Sequence, residues 1–404
     1  MLKTRKLSQY TIIILCWLVY VIAYLGRYSY NSNITLIIDD YGVTKAQAGL
    51  VPTLFFFAYG AGQVINGIMS RRYNKKWLFP IALMLSSAIN LTVFFNVPFR
   101  FIKYLWLLNG FTQSCLWSGI ISVISKTIDD KHMNFAVILL STTTCIGTVI
   151  TYGASSLFAH INNYKMMFLF SAVIMTVLGI VWFSLYSTKL EVNDVKTVQQ
   201  EKTAQKKSDI GGLLGLMLMI SVFAVIHNII KDGLTTWMPD ILKERYMLGD
   251  SVSILLTIAL PLIGVFGAMI SIRTVNRFKN FISAISLFFA VAAVSIGAIV
   301  FAPQMNAVIA VLFFGSAVCM MHGINNISTS VAPLKMRDSI DSGKFAGIMN
   351  GCCYLGSTIS SYGFGKLADN YGWQTVLNMI FALCIVSVVI GAAYSCVKKR
   401  AARS

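Results

Sequence analysis

From Tyr10 to Ile38 the chain carries one charged residue, Arg27, in a run otherwise fit to cross a lipid bilayer. A hydrocarbon core of ~30 Å takes about 20 residues of helix. Similar runs recur near 10–37, 47–70, 77–96, 101–125, 133–158, 165–187, 210–242, 250–272, 280–301, 304–334, 344–367 and 374–396. With 56% hydrophobic and 12% charged residues and a mean hydropathy of +0.71, the chain has more apolar surface than a soluble fold can bury. It reads as an all-α membrane protein of twelve transmembrane helices. Within that frame Arg27 is the anomaly. A charge at the bilayer centre costs roughly 2.5–3.5 kcal/mol on insertion scales, and is normally kept for a substrate or ion path. Lys231 takes the matching place in the second half. Two cations so matched suggest a pocket for an anion.

The net charge of +18 invites a nucleic-acid reading, but its distribution argues against one. Basic residues collect at alternate span ends: Arg71, Arg72, Lys75 and Lys76, then Arg273, Arg277 and Lys279, then Lys398, Lys399, Arg400 and Arg403. Cytoplasmic loops carry such an excess, so the bias sets orientation, with both termini cytoplasmic, and requires no polyanionic partner. Lys3, Arg5 and Lys6 precede a long helix that lacks a small-residue cleavage site, which reads as an anchor and not a removable signal. The eight cysteines and four histidines show no metal or redox spacing. No phosphate-cradling glycine motif or nucleophile elbow occurs. Neither an enzyme nor a cofactor is expected.

One long polar stretch, Lys189 to Asp209, divides six spans from six and reads as a mobile cytoplasmic linker. The expected organisation is a six-helix bundle over 1–188, a linker over 189–209, and a second bundle over 210–404 with a short basic tail. Polar residues fall in stripes on these helices. Tyr20, Tyr24, Arg27 and Asn31 recur at helical spacing on one face of the first span. The second span offers Tyr59, Gln63 and Asn66, the fourth Gln113 and Trp117, the seventh Asn228, Lys231 and Thr235. His322, Asn325 and Asn326 mark the tenth, and Asn350, Tyr354 and Ser361 the eleventh. Isolated Thr144 or Ser361 can simply join helices, as polar groups commonly do in membranes. A stripe containing Arg27 needs another explanation, because no acid lies within the spans of the first half. In the seventh span Asp232 adjoins Lys231. Neighbours on a helix point about 100° apart, so the two need not neutralise each other, and Asp232 is free to pair with another helix instead. The scarcity of intramembrane carboxylates favours exchange of one anion for another over proton coupling.

These residues resemble the organophosphate:phosphate antiporter family of the major facilitator superfamily. The resemblance rests on Tyr20, Tyr24, Leu25 and Arg27; on Ala58, Tyr59, Gly60 and Gln63; and on Asn109, Gly110, Gln113 and Trp117. It continues through the run from Lys231 to Trp237, Pro239 and Leu242, then Tyr354, Leu355 and Gly356, then Gly372 and Trp373. It implies the six-plus-six fold of that superfamily, whose halves are parallel repeats. Three departures bear on substrate. The second arginine of the glycerol-phosphate members is Lys231 here, a second-span lysine is Gln63, and a fifth-span histidine is replaced near Cys145. Lysine binds phosphate as a point charge but lacks the bidentate fork. An acidic residue usual in the superfamily stands here as Arg71.

The resulting expectation is a secondary transporter in the cell membrane, monomeric, exchanging an organic phosphate or related anion for inorganic phosphate. Arg27 and Lys231 hold the anionic group. Tyr20, Tyr24, Tyr59 and Tyr354 orient the rest, Gln63 and Gln113 act as neutral donors, and Trp117 and Asn325 complete the set. Two rivals stay open. One is a proton-coupled organic-acid symporter of the same superfamily, and the other a transporter-like sugar-phosphate sensor.

Overall fold

The structure, a computed structural model, describes residues 8–69, 74–186, 210–278, 280–336 and 342–401. The expected linker 189–209 lies outside them, as do Arg71, Arg72, Lys279 and Arg403. All regular structure among the described residues is helical. The first half supplies α1 (Gln9–Ser32), α2 (Ile34–Tyr41), α3 (Lys45–Met69), α4 (Lys75–Phe94), α5 (Phe99–Thr127), α6 (Asp130–Ser141), α7 (Thr143–His160) and α8 (Met166–Leu185). The second supplies α9 (Ile210–Tyr246), α10 (Asp250–Thr257), α11 (Ala259–Phe278), α12 (Phe281–Phe301), α13 (Ala307–Asn326), α14 (Ala332–Lys335) and α15 (Ser342–Ala401). A π-helical turn, Ile327–Val331, joins α13 to α14.

Helix is the solution because hydrocarbon offers a backbone N–H or C=O no partner outside its own segment. Eleven stretches among the described residues are long and apolar enough to cross a bilayer. The last of them, Lys344–Cys396, contains two spans joined at Gly372 (φ 76°, ψ 167°). That gives the expected twelve. Side chains such as Leu157 and Val294 stand about seven-tenths exposed on the helix surfaces, as lipid-facing residues must. Where helices begin at the polar margin, side chains close their open N–H groups. Asn74 accepts from Lys76, Asp129 from His132, Asn280 from Ile282 and Asn306 from Val308, all at 2.9–3.1 Å. Each such cap contributes about 1 kcal/mol. The His132 ring beside Asp129 also holds that exposed carboxyl below the usual range.

The chain forms two compact units. Unit 1 is Met1–Ser32 with Phe57–Glu201, and unit 2 is Asn33–Phe56 with Lys202–Ser404. The hairpin of α2 and the start of α3 therefore counts with the second unit. In unit 1 a polar seam fastens α1 to its neighbours. The Gly26 carbonyl accepts from Asn109 at 2.9 Å and from Asn90 at 3.3 Å, while Ser29 donates to Asn90 at 2.7 Å. Ser32 and Ser155 share a 2.7 Å bond. In lipid, where apolar packing alone does not drive helices together, such bonds hold the bundle.

In unit 2 small residues let backbones meet. A Cβ on Gly267 would stand 2.0 Å from the Cys319 carbonyl oxygen, so α11 and α13 touch main chain to main chain. The Asn33–Phe56 hairpin is bound in the same way. The Asp369 carboxylate accepts from the backbone N–H groups of Lys45 (3.0 Å) and Ala46 (2.7 Å), closing the N-terminus of α3. Lys45 Nζ reaches Glu244 at 2.7 Å and Asp240 at 3.8 Å. Lys243 lies between Asp39 (2.6 Å) and Asp250 (2.8 Å). Asp240 is thus a second buried carboxylate in addition to Asp232, one that the sequence analysis does not single out. It is tolerated because Lys45 faces it and Trp373 Nε1 donates to it at 3.1 Å.

Gly365 is where this hairpin comes closest. A Cβ there would meet the Lys45 carbonyl oxygen at 2.5 Å and the Trp237 ring at 2.7 Å. Overpacking of this kind costs about 1–3 kcal/mol. Gly365→Ala should lower the melting temperature of the purified protein. Gly363→Ala, whose Cβ meets nothing, should not; equal melting of the two would show that the hairpin contact contributes nothing.

Candidate functional site

Arg27 lies on α1 well inside its span and is 4% exposed. Its guanidinium carbon stands 4.2 Å from the Tyr59 ring centroid, 4.7 Å from Tyr24 and 5.9 Å from Tyr20. Helical spacing explains the arrangement. Tyr20, Tyr24 and Arg27 share one face of α1, and Tyr59 presents its ring from α3. Each ring face stabilises a cation by ~0.5–2 kcal/mol, together enough to offset much of the cost of placing the charge there. The hydroxyls are bound as well. Tyr20 and Tyr59 share a 3.1 Å bond, Gln63 Nε2 donates to the Tyr59 hydroxyl at 3.2 Å, and Tyr24 bonds Thr144 at 2.9 Å. The Trp117 ring packs 4.8 Å from Tyr20.

Six of the expected residues, Tyr20, Tyr24, Arg27, Tyr59, Gln63 and Trp117, are therefore brought together in unit 1. Gln113 sits apart from these contacts. Its Nε2 donates to Ser86 at 2.8 Å and Asn109 at 3.2 Å, within the seam that joins α1, α4 and α5. Its Oε1 is buried and accepts no hydrogen bond from the described residues, an expensive state that a polar ligand would relieve.

In unit 2 Lys231 is a near neighbour of its own sequence neighbour. Its Nζ lies 3.2 Å from Asp232 Oδ1. The flexible four-carbon stem of lysine spans the angle that helix geometry sets between adjacent positions. Asp232 is held from α15 by Ser357 Oγ at 2.5 Å and along α9 by Asn228 Nδ2 at 3.0 Å. Asn325 Oδ1 faces His227 Nε2 at 3.4 Å and Cys353 Sγ at 3.6 Å. Tyr354 stacks with Phe56 at 6.4 Å. Lys231 and Asn325 thus belong to one polar layer, and Tyr354 stands against the hairpin.

Sequence reading passed over several members of these layers. Tyr28 stacks on Tyr24 at 5.5 Å and continues the ladder by four residues, a signal that was visible. His227, Cys353 and Ser357 carry no such periodic mark; only the crossing of α9 with α13 and α15 assembles them. No cluster of His, Cys, Asp or Glu suited to a metal ion occurs among the described residues.

A twelve-span all-helical fold with a buried cation in its first span describes a membrane transporter. Residues 16–360 match the Major Facilitator Superfamily, and the chain belongs to that family of transporters, not to a class of enzymes. Its relatives agree with the narrower resemblance read from the sequence. The chain is 31% identical over 102 residues to the membrane sensor protein UhpC of Escherichia coli (strain K12), a stretch covering 25% of this chain and only 23% of that protein. It is 22% identical over 395 residues to sugar phosphate exchanger 3 of Gallus gallus, covering 85% of this chain and 77% of the relative. Among solved structures, a bacterial homolog of the human lysosomal transporter Spinster superposes with a TM-score of 0.78 at 12% identity, over 98% of both chains. A D-xylose–proton symporter gives 0.76 at 12% identity, over 95% of this chain and 97% of the other. At such identities these structures show the fold alone.

Tyr59 offers a test of the aromatic shell. Tyr59→Phe keeps the ring over Arg27 and removes two hydrogen bonds, which should cost about 1–2 kcal/mol of stability. Tyr59→Leu also removes the ring face and should cost more. Equal melting temperatures for the two variants would show that the ring face contributes nothing.

Proposed function

We propose that the chain exchanges an organic phosphate, or a related organic anion, for inorganic phosphate by alternating access. The observation that carries this reading is Arg27, buried at 4% exposure under three tyrosine rings. Ring faces stabilise a guanidinium without cancelling its charge, and its planar fork matches the oxygens of a phosphate. In unit 2 Lys231 is the second cationic contact, with Asn325 and Tyr354 on the same path. Tyr20, Tyr24 and Tyr59 orient the remainder of the substrate. Gln63 and Gln113 serve as neutral polar contacts, and Trp117 as an apolar wall. The names of relatives point the same way, toward sugar phosphate exchange and hexose phosphate transport. The partners are then a small organic anion and its counter-anion, and the transporter works as a monomer. It resides in the cell membrane with both termini cytoplasmic. Supporting this, Lys75, Lys76, Arg273 and Arg277 stand at helix ends on one side of the span order.

The direct test is counterflow by purified protein in liposomes preloaded with phosphate, offered phosphate esters and carboxylates outside. Arg27→Ala should still insert and should abolish exchange. Retention of more than about half the wild-type rate would remove Arg27 from the anion contact.

A second reading, proton-coupled symport of an organic acid, draws on the buried carboxylate Asp232. Exchange with equal pH on both sides supports the antiporter. Uphill uptake driven by a proton gradient, without internal counter-anion, would put the symporter in its place. The sensor reading draws on the UhpC match and would be favoured by ligand binding without flux.

A further inference from the structure

His322 stands half-buried midway along the tenth span, Ala307–Lys335. Among the described residues no group forms a hydrogen bond with its ring, an expensive state for an imidazole inside hydrocarbon. The two asparagines that follow it are engaged. Asn326 Nδ2 donates to Ser271 Oγ at 2.8 Å and to the Ala268 carbonyl at 3.3 Å, which ties that side of α13 to α11. Asn325 Oδ1 faces His227 of α9 at 3.4 Å. His322 lies three residues before Asn325 and shares the face that turns to α9.

α9 and α13 touch. Three crossings separate them, so they run in opposite directions. His227 is level with Asn325. One turn further along α9 comes Lys231, and one turn back along α13 comes His322, so these two share the next level. The electrostatics agree: of the ionisable groups around the His322 ring, Lys231 acts on it most strongly, ahead of Asp232 and His227. α11 supplies the seat. A Cβ on Gly264 would stand 2.6 Å from His322 Cδ2 and 2.9 Å from Nε2, so the ring rests where that helix carries no side chain. All of these residues belong to unit 2.

We propose that His322 is a second anion contact of unit 2: its N–H donates to an oxygen of the phosphate or phosphate ester that Lys231 holds by charge. This rests on the reading of Lys231 as an anion contact. An ammonium is a point charge on a flexible stem and lacks the fork that would orient a phosphate. A ring seated against α11 adds a donor of fixed direction from a different helix, so the two together set both the position and the orientation of the anion. An imidazole presents at least one N–H whether neutral or protonated, so the role needs no titration.

The experiment reads the exchange of labelled inorganic phosphate by the full chain in proteoliposomes, with equal pH on both sides. His322→Phe keeps a ring and removes both nitrogens. It should raise the KM for phosphate by about tenfold or more, the scale of one hydrogen bond to a charged group, with the maximal rate within about threefold of wild type. His322→Gln keeps a neutral N–H donor and should stay within about threefold of the wild-type KM. A purely structural His322 would lower the amount of active protein and the melting temperature in His322→Phe and leave KM unchanged, and that outcome overturns the proposal. An equal rise of KM in the two variants overturns it as well. Should His322→Phe fail to fold, His322→Ala, which needs no added room, decides by the same KM. Lys231→Gln without effect on KM, or no phosphate exchange by wild-type protein, would instead defeat the functional reading on which the proposal rests.

Discussion

A charge inside hydrocarbon has to be stabilised by whatever surrounds it, and much of this structure follows from doing so. At Arg27 the means is aromatic. Tyr20, Tyr24 and Tyr59 turn ring faces to the guanidinium, and their hydroxyls are taken up by one another, by Gln63 and by Thr144. A ring quadrupole falls off faster with distance than a charge does, so the rings have to stand this close to act. The arrangement holds a positive charge steady.

Unit 2 meets the same constraint by the other route. Lys231 pairs with Asp232, and two lysines nearer helix ends, Lys45 and Lys243, meet Asp240, Glu244, Asp39 and Asp250. Backbone groups follow the rule as well. The exposed amides at the start of α3 are received by Asp369, and the Trp237 indole donates to the Ser361 carbonyl at 3.0 Å. Glycines at 49 and 365 let the hairpin approach α15 and Trp237 to distances that a Cβ would forbid.

The periodic features of this molecule were legible in the sequence, and its crossings were not. Spans announce themselves as apolar runs, and the Tyr20–Tyr24–Arg27 face follows from helical spacing alone. Gln63 and Tyr59 are four residues apart on one helix, and their bond follows likewise. Gln113 shows the limit. Its face on α5 was readable, but which helix that face meets depends on packing, and Ser86 and Asn109 engage its amide nitrogen. For Lys231 the 100° offset from Asp232 was a correct statement about backbone directions and a poor one about a side chain with four rotatable carbons. The second buried carboxylate, Asp240, was hidden for a similar reason: its partners, Lys45 and Trp373, lie far away in sequence.

The turn at Gly372 has a consequence for how the last two spans are held. Its left-handed backbone (φ 76°) reverses direction between the last two spans with no intervening loop, a conformation that a residue with a side chain adopts only under strain. The final two spans are thereby joined at one residue, with Asp369 and Asn370 just before the turn. The angle between the two arms is then set at a single backbone position, the one that a side chain would strain.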